Sequence, residues 1–278
     1  MNHQQKSLKT LFAILTFLGL MQAVIAAPSA DLWETWTRNN PVNQNQINHE
    51  PWQEFLNKYL ETQHASGINR VRYTRVSTED RQSLADYLKQ MSQTQITAYS
   101  KQEQKAFWIN LYNALTVQII LKNYPVQSIR DIKSGFFSFG PWDMKLMEIE
   151  GEKITLNDIE HRILRPLWQD NRVHYALNCA SLGCPDLQPQ AFTRENMETL
   201  LDSAARAFIN HERGAKFEKE ELVLSSIYHW FKTDFGGTDA SVIEHLIHFA
   251  DAPLAEKLRS YHESWDHDYD WKLNAAQP

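Results

Sequence analysis

Cysteine and positive charge are both scarce in this chain. Its 278 residues include two cysteines, Cys179 and Cys184. A single pair cannot hold a whole fold together, so a disulfide-rich scaffold is excluded. Only 28 Lys and Arg residues stand against 34 Asp and Glu residues. Phosphate binding needs a basic face, so we expect no nucleic-acid partner.

Long apolar runs are also missing, apart from one at the start. Leu11 to Met21 follows Lys6 and Lys9 and precedes small residues in AVIAAPSA. This order is typical of a secretory signal, and we expect cleavage after Ala26. The run is shorter than the about 20 apolar residues that span a bilayer. We therefore expect a periplasmic or secreted protein, with an uncleaved N-terminal anchor as the alternative.

Removal of residues 1–26 would take away two lysine charges and change the net charge from −6 to −8. No later run approaches the length of a transmembrane helix, so no membrane span is expected after signal removal. The pattern contains no repeat, linker or low-complexity block after residue 50. We interpret 27–50 as a polar, loosely packed lead-in and 51–275 as a single domain.

Apolar spacing predicts a helix-rich α+β domain with a modest antiparallel sheet. Helices are expected near residues 52–60, 84–91, 103–122, 156–164, 197–209, 227–231, 242–249 and 254–261. Hairpins are expected near 144–154 and in FEKEELVLS, and GFFSFGPW is expected to be an aromatic loop. The helix over 103–122 is apolar on more than one face, which indicates the centre of a domain.

Two asparagines interrupt this apolar helix. Asn110 and Asn113 are three residues apart and therefore share a face. Either their amides bond to the backbone of a packed loop, or they line a cleft and orient a substrate. The first alternative is favoured because buried polar groups are usually satisfied within the protein.

Glu160 and His161 are adjacent on the helix predicted in LNDIEHRILRP. Neighbouring positions of a regular helix diverge by about 100°, so both side chains cannot point the same way. We expect one of them to face the interior and the other to meet solvent. A role in a site then requires a partner that is distant in sequence.

The stretch RVHYALNCASLGCP, residues 172–185, holds both cysteines. His174 and Cys179 are five residues apart, which places them on different faces of a strand and at a poor angle on a helix. They can meet only if the chain turns sharply near Cys179. Gly183 and Pro185 indicate that a turn follows, and Gly183 is expected to take the unusual dihedral angles.

The cysteine spacing leaves two alternatives open. Cys179 and Cys184 could form a disulfide around CASLGC, which export would favour, or remain free. The spacing is not that of a CxxC redox motif, and the segment offers too few ligands for zinc. We expect no metal and no cofactor.

Five stretches of the chain carry a family resemblance, in the order AFWINLYNALTV, LNDIEHRILR, VHYALNCASLGCP, IYHWFKTDFG and YDWKLN. Together they resemble the domain-of-unknown-function family 547, DUF547, over roughly residues 70–275. The resemblance implies no assigned activity. The positions it carries over are Asn110, Tyr112, Asn113, Glu160, His161, His174, Cys179, Cys184, Pro185, Asp234, Phe235, Asp270, Trp271 and Asn274.

One departure from the family pattern lies beside the first cysteine. The resemblance implies glycine after Cys179 and a serine-like residue before Cys184, where this chain has Ala180 and Gly183. Alanine lowers the expectation of a tight turn directly after Cys179.

Two functions follow as hypotheses, beside a thiol-redox role of the Cys179 and Cys184 pair as a third. The first is a Cys/His-dependent hydrolase or acyltransferase acting on peptide or cell-envelope material, with Cys179 as nucleophile. His174 or His161 would be its base, oriented by Glu160 or by an asparagine, and Asn110, Tyr112 and Asn113 would contact substrate. The second is a non-catalytic binding or accessory module in which a Cys179–Cys184 disulfide pins a recognition loop. A small molecule, a peptide or a glycan would be the ligand.

Overall fold

The computed structural model describes residues 28–133, 135 and 140–276. The predicted leader, residues 1–26, lies outside the described residues, as do residues 136–139 of the predicted aromatic loop. Within the described ranges, no helix is both long enough and apolar enough to cross a membrane.

Helices dominate the fold, and the strands are short. The regular elements, in chain order, are α1 Glu50–Tyr59, β1 Leu60–Glu61, β2 Arg70–Val71, α2 Thr78–Gln93, α3 Lys101–Asn123, β3 Met147–Ile149, β4 Glu152–Ile154, a π-helix Asp158–Leu164 that continues into α4 Arg165–Trp168, α5 Val173–Ala176, α6 Met197–Ile209, β5 Ala215–Glu218, β6 Glu221–Ser225, α7 Ser226–Trp230, α8 Asp239–Phe249, α9 Ala252–Ser260 and β7 Asp266–Asp268. The helix-rich α+β prediction is confirmed. The strands form three small sheets, antiparallel except for β7, which pairs parallel to β6.

The long helix α3 is the centre of the domain, as its pattern predicts. The Ser100 side chain accepts a hydrogen bond from the Glu103 backbone N–H and caps its start. Between Glu103 and Leu121, every side chain except that of Gln118 is buried. A helix that is apolar all round can satisfy its surface only by being surrounded.

The polar lead-in packs against the domain, so the expectation of a loose segment is wrong for part of it. The indole of Trp36 is buried, and its centroid lies 5.0 Å from that of Trp108 on α3. Backbone N–H groups of Asp31 and Trp33 donate to carbonyls of the π-helix at 3.0 Å each. A single large aromatic side chain buries enough apolar area to anchor a segment of polar composition.

The Asp158–Leu164 segment is wider than an ordinary helix. The predicted end before Pro166 is wrong, because the helical path continues through Pro166 at the start of α4. A proline in the first turn of a helix loses no needed hydrogen bond. Single-turn π-helical stretches are rare and are often found at functional sites.

Two hydrophobic cores meet at the cysteine-bearing stretch. Val173, Ala176 and Ala180 pack into the core built around α3. Tyr175 instead packs into the core formed by α6, β5, β6 and α7 to α9. The cysteines therefore lie where the two cores adjoin.

The C-terminal segment, residues 269–276, runs along the cysteine loop, residues 179–184. Backbone N–H groups of Leu182 and Gly183 donate to the carbonyls of Lys272 and Asp270 at 2.8 Å each. A Cβ atom at Gly183 would lie 2.8 Å from the Asp270 backbone nitrogen. Gly183 is thus required for close backbone approach, not for the unusual dihedral angles that we expected there.

Candidate functional site

A sharp turn follows Cys179, and its geometry explains the family preference for glycine. Ala180 has a φ of 60°, which is the left-handed region. L-residues with a side chain enter that region at a cost, so glycine is the residue that fits most easily. The expectation that Ala180 makes the turn less certain is wrong, because hydrogen bonds from outside the turn hold it.

Three asparagines supply those hydrogen bonds. The Asn178 Oδ1 atom accepts from the Ala180 N–H at 2.9 Å and from Asn274 Nδ2 at 3.1 Å. The Asn178 N–H donates to Asn113 Oδ1 at 2.8 Å, while Asn113 Nδ2 donates to the Ala176 carbonyl at 2.9 Å. The turn is therefore fixed from α3 on one side and from the C-terminal segment on the other.

Asn110 also hydrogen-bonds to the backbone, in the neighbouring loop. Its Nδ2 donates to the Phe192 carbonyl at 2.7 Å, and its Oδ1 accepts from the Phe192 N–H at 2.9 Å. Both α3 asparagines thus have the backbone-bonding arrangement that we favoured. A substrate-binding role for Asn110 and Asn113 stays a prediction.

The Cys179 thiol is surrounded by hydrogen-bond donors. Its Sγ lies 2.8 Å from Cys184 Sγ, whose S–H donates, 3.2 Å from Ser181 Oγ and 3.1 Å from Tyr269 Oη. Burial opposes a thiolate here, but the hydrogen bonds from Cys184, Ser181 and Tyr269 outweigh it. Together they lower the pKa of Cys179 to about 7.

The two cysteines are unbridged in the structure, with their sulfurs 2.8 Å apart, and they differ in character. A disulfide between them stays a prediction. Cys184 is more deeply buried, and the Cys179 N–H donates to its sulfur at 2.9 Å. Burial and the neighbouring Cys179 sulfur raise the pKa of Cys184 well above its usual range. Cys179 thus carries the thiolate of the pair, and Cys184 keeps its proton.

Glu160 on the π-helix is an acidic group whose charge acts on Cys179. Burial raises the pKa of Glu160 to about 7, although Arg165 and a hydrogen bond with Tyr112 oppose the shift. The charges of Glu160 and Cys179 act on each other, which shows that the two groups share one buried environment. A carboxyl group with a pKa near 7 can both accept and release a proton at neutral pH.

His174 lies beyond Glu160, within a chain of charged groups. Its Nδ1 is 3.8 Å from Glu160 Oε1, and its Nε2 is 2.7 Å from Asp234 Oδ2. Arg165 holds Asp234 from the other side, with Nε–Oδ2 and Nη2–Oδ1 distances of 2.6 and 3.0 Å. Burial and the Arg165 charge lower the pKa of His174 against the pull of Asp234, so the imidazole is neutral.

The contacts of His174 indicate which of its ring nitrogens carries the proton. A neutral imidazole facing the Asp234 carboxylate donates through Nε2, because the carboxylate only accepts. Its Nδ1 then presents a lone pair toward Glu160. The ring is held in place by Phe231, whose centroid lies 4.3 Å away in a stacked arrangement.

His161 is buried, but on the far side of this chain of groups. Its Nδ1 accepts a hydrogen bond from Arg165 Nη1 at 3.0 Å, and burial together with Arg165 lowers the pKa of His161 to about 3. The expectation that Glu160 or His161 would meet solvent is wrong. Residues 31–33 and Phe231 cover the face of the π-helix that would otherwise be exposed.

The structure thus brings most of the predicted site residues together and separates their roles. Neither His174 nor His161 hydrogen-bonds to Cys179 Sγ, while Glu160 interacts electrostatically with Cys179 and lies 3.8 Å from His174 Nδ1. Tyr112 is fully enclosed beside Glu160 and Cys179, and burial followed by their charges raises the pKa of its phenol well above the usual range. Tyr112 therefore stays protonated and can only stabilise negative charge.

Sequence reasoning missed three residues of the site. Tyr269 and Ser181 contact Cys179 directly, and Arg213 donates to the carbonyls of Leu182 and Cys184 at 3.3 and 2.7 Å. Tyr269 and Ser181 lie inside the stretches YDWKLN and CASLGC, so the sequence contained a signal that could have identified both. Arg213 lies outside every such stretch and had none.

Residues 96–209 match the model of a family described as "Protein of unknown function, DUF547". This stretch resembles the DUF547 family. The DUF547-like range holds Glu160, His174, Cys179 and Cys184, and it ends before Asp234 and Tyr269. The match is narrower than the range of about 70–275 that the sequence stretches predict. Searches of curated proteins and of solved structures found no match to the chain.

Among the residues that the structure describes, no group of three or more His, Cys, Asp or Glu side chains is placed to hold a metal ion.

Replacing Glu160 with glutamine is expected to change how stability depends on pH. The folded protein keeps a proton on Glu160 up to about pH 7, whereas the unfolded chain releases it near a pKa of about 4.3. The folded state therefore binds more protons in this window, and wild-type stability falls as pH rises through it. Glutamine does not titrate. The free energy of unfolding of Glu160→Gln relative to wild type should rise by on the order of 3 kcal/mol across the window.

Urea unfolding at several pH values measures this difference. Glu148→Gln is the matched control, because the Glu148 side chain on β3 is exposed and solvent screens its charge. Parallel stability curves for wild type and Glu160→Gln would show that Glu160 does not bind a proton in the folded protein near neutrality.

Proposed function

We propose that this protein is a cysteine-dependent acyl-transfer enzyme, a hydrolase or acyltransferase, with Cys179 as its nucleophile. The observation that carries the proposal is the set of donors around Cys179 Sγ, which lowers the pKa of Cys179 to about 7. A thiolate is the nucleophilic form of cysteine, and near neutral pH a large fraction of Cys179 is in that form. An inert buried cysteine would instead have a raised pKa.

The first step forms a thioester. The Cys179 thiolate attacks the carbonyl carbon of an acyl donor, the new carbon–sulfur bond forms, and the bond to the leaving group breaks. The leaving group takes its proton from the neutral Glu160 carboxyl. Because the thiolate is already formed, this step needs no imidazole to deprotonate the nucleophile, which agrees with the absence of a histidine at Cys179 Sγ.

The second step returns the enzyme to its starting state. Water or another acceptor attacks the thioester and gives its proton to the Glu160 carboxylate, and the Cys179 thiolate leaves. A pKa near 7 suits both directions of this proton transfer. The neutral His174, fixed by Asp234, places its Nδ1 3.8 Å from Glu160 Oε1 and adds no positive charge beside that carboxyl.

Ser181 and Tyr269 have a second use in this scheme. The Ser181 and Tyr269 hydroxyls lie 2.9 Å apart, and each is also within hydrogen-bond distance of Cys179 Sγ. Burial raises the pKa of Tyr269 well above its usual range, so it remains a donor. When the sulfur bonds to the carbonyl carbon, these donors can stabilise the negative oxygen of the tetrahedral intermediate.

A cluster of half-buried aromatic rings adjoins the thiol and supports a substrate with apolar character. Tyr269 packs on Trp230 and Trp271 with centroid distances of 4.8 and 4.6 Å, and Trp271 contacts Trp142 at 5.9 Å. Flat rings cover apolar faces of peptides and sugars. We propose peptide or cell-envelope material as the substrate class and, with the predicted leader, a periplasmic or secreted site of action.

The test is to trap the acyl-enzyme. The purified protein is mixed with p-nitrophenyl acetate, and intact mass and peptide mapping follow the acetyl group. We expect a burst of nitrophenol, one acetyl group on Cys179, and slower loss of that group in Glu160→Gln, because water then lacks its proton acceptor. If no acetyl group reaches Cys179 from folded protein, the chain is better described as a binding module.

A further inference from the structure

Cys184 donates to the nucleophile but forms no bond to the substrate in the acyl-transfer steps, and it contacts Cys179 more closely than any other side chain. Its S–H donates to Cys179 Sγ at 2.8 Å, and its sulfur accepts the Cys179 N–H. For acyl transfer alone, a serine would donate equally well. A second sulfur adds a different capability, since only a thiol can displace another thiol from a disulfide.

The loop that carries Cys184 is built to keep the two sulfurs together. Arg213 donates to the carbonyls of Leu182 and Cys184, and its guanidinium pairs with Asp186 at 2.7 Å. The Asn178 side chain donates to the Pro185 carbonyl at 2.7 Å. The loop is thus clamped just before and just after Cys184, and the two sulfurs are held 2.8 Å apart.

Cys179 and Cys184 have different surroundings, and this difference indicates which of them an outside disulfide meets first. Cys179 is 9% exposed and touches the half-buried Tyr269, whereas Cys184 is 5% exposed. Cys184 is enclosed by the loop itself, with the Leu177 carbonyl as its remaining polar neighbour at 3.7 Å. An outside disulfide therefore meets Cys179 first.

We propose that Cys179 and Cys184 form a thiol–disulfide exchange pair, in which Cys184 resolves mixed disulfides formed on Cys179 and the resulting internal disulfide reversibly blocks the nucleophile. The co-reactant is a low-molecular-weight disulfide. This inference rests on the proposed function for one point, the thiolate character of Cys179.

The electrons and protons balance in two displacements. The Cys179 thiolate attacks one sulfur of the small disulfide, forms a mixed disulfide and releases one small thiolate, which takes a proton from solvent. Cys184 then loses its proton and attacks Cys179 Sγ, which forms the internal disulfide and releases the second small thiol. The protein is oxidised by two electrons, and the small disulfide is reduced to two thiols.

Intact mass after treatment with glutathione disulfide tests this inference, because the chain has no other cysteine. Reduced protein is freed of reductant, reacted, quenched with N-ethylmaleimide and mapped. For wild type we expect the loss of two hydrogen atoms, no maleimide label and a Cys179–Cys184 crosslinked peptide. Acetylation by p-nitrophenyl acetate should then be lost and should return with dithiothreitol.

Two variants identify the attacking and the resolving thiol. Cys184→Ser is expected to stop at one glutathione on Cys179, and Cys179→Ser is expected to stay unmodified over the same time. A stable glutathione adduct on folded wild type would overturn the inference, even if acetylation of Cys179 succeeds. An internal disulfide without any acetylation would instead leave the exchange pair standing and remove the acyl-transfer function.

Discussion

Replacing Cys179 with serine is expected to slow formation of the acyl-enzyme by at least about a thousandfold. The donors around Cys179 Sγ are sufficient to stabilise a thiolate, whose pKa they bring to about 7. A serine hydroxyl is far less acidic, and it would need a base in hydrogen-bond contact to become a nucleophile. Neither His174 nor His161 hydrogen-bonds to this position, so the serine would remain protonated and unreactive.

The substitution changes one atom, so its effect on the fold can be checked separately. The urea unfolding curve of Cys179→Ser should show a folded protein, and the nitrophenol burst should be lost. A variant that still accumulates one acetyl group at the wild-type rate would place the nucleophile elsewhere in the chain.

Replacing Asp234 with asparagine is expected to lower the free energy of unfolding by about 3–5 kcal/mol. Burial opposes the charge of Asp234, but hydrogen bonds from His174 and Arg165 outweigh burial and hold the pKa of Asp234 well below its usual range. The Arg165 side chain is 4% exposed, so loss of its carboxylate partner leaves a buried positive charge without compensation. The new amide would also place an N–H₂ group among groups that already donate.

Glu218→Gln is the matched control for this change. Glu218 pairs with Lys216 at 2.8 Å, but its side chain is 61% exposed, and surface ion pairs contribute about 0–1 kcal/mol. Urea unfolding of both variants at pH near 7 measures the contrast. Equal effects of the two substitutions would contradict the claim that Arg165, Asp234 and His174 form a buried charged unit.

Local sequence patterns predicted the parts of the fold whose position follows from the residues of a single element. Helix α3 carries apolar residues on every side, which only a central position satisfies, and the short cysteine loop contains its own turn residues. The π-helix was not predicted, because an extra residue in one helical turn leaves the apolar spacing almost unchanged. Its effect is large, since it lets Glu160 and His161 both be buried.

The candidate site was predicted in part for a similar reason. Glu160, His174, Cys179 and Cys184 stand in stretches of unusual composition, and the structure places them near one another. The partners that set their chemistry come from far along the chain, with Asp234 60 positions from His174 and Tyr269 90 positions from Cys179. No local pattern specifies contacts over such separations. Ala180 shows the opposite effect, because surrounding asparagines impose a backbone conformation that the residue itself disfavours.

The central claim is that its surroundings stabilise Cys179 as a thiolate near neutral pH. The pH dependence of Cys179 alkylation tests this claim most directly. Reduced protein is treated with iodoacetamide at a series of pH values, and the label on each cysteine is followed by peptide mapping. The donors around Cys179 predict that label appears on Cys179 first, with a rate that rises with pH around a midpoint near 7. A midpoint at the ordinary cysteine value of about 8.5, or faster labelling of Cys184, would contradict it.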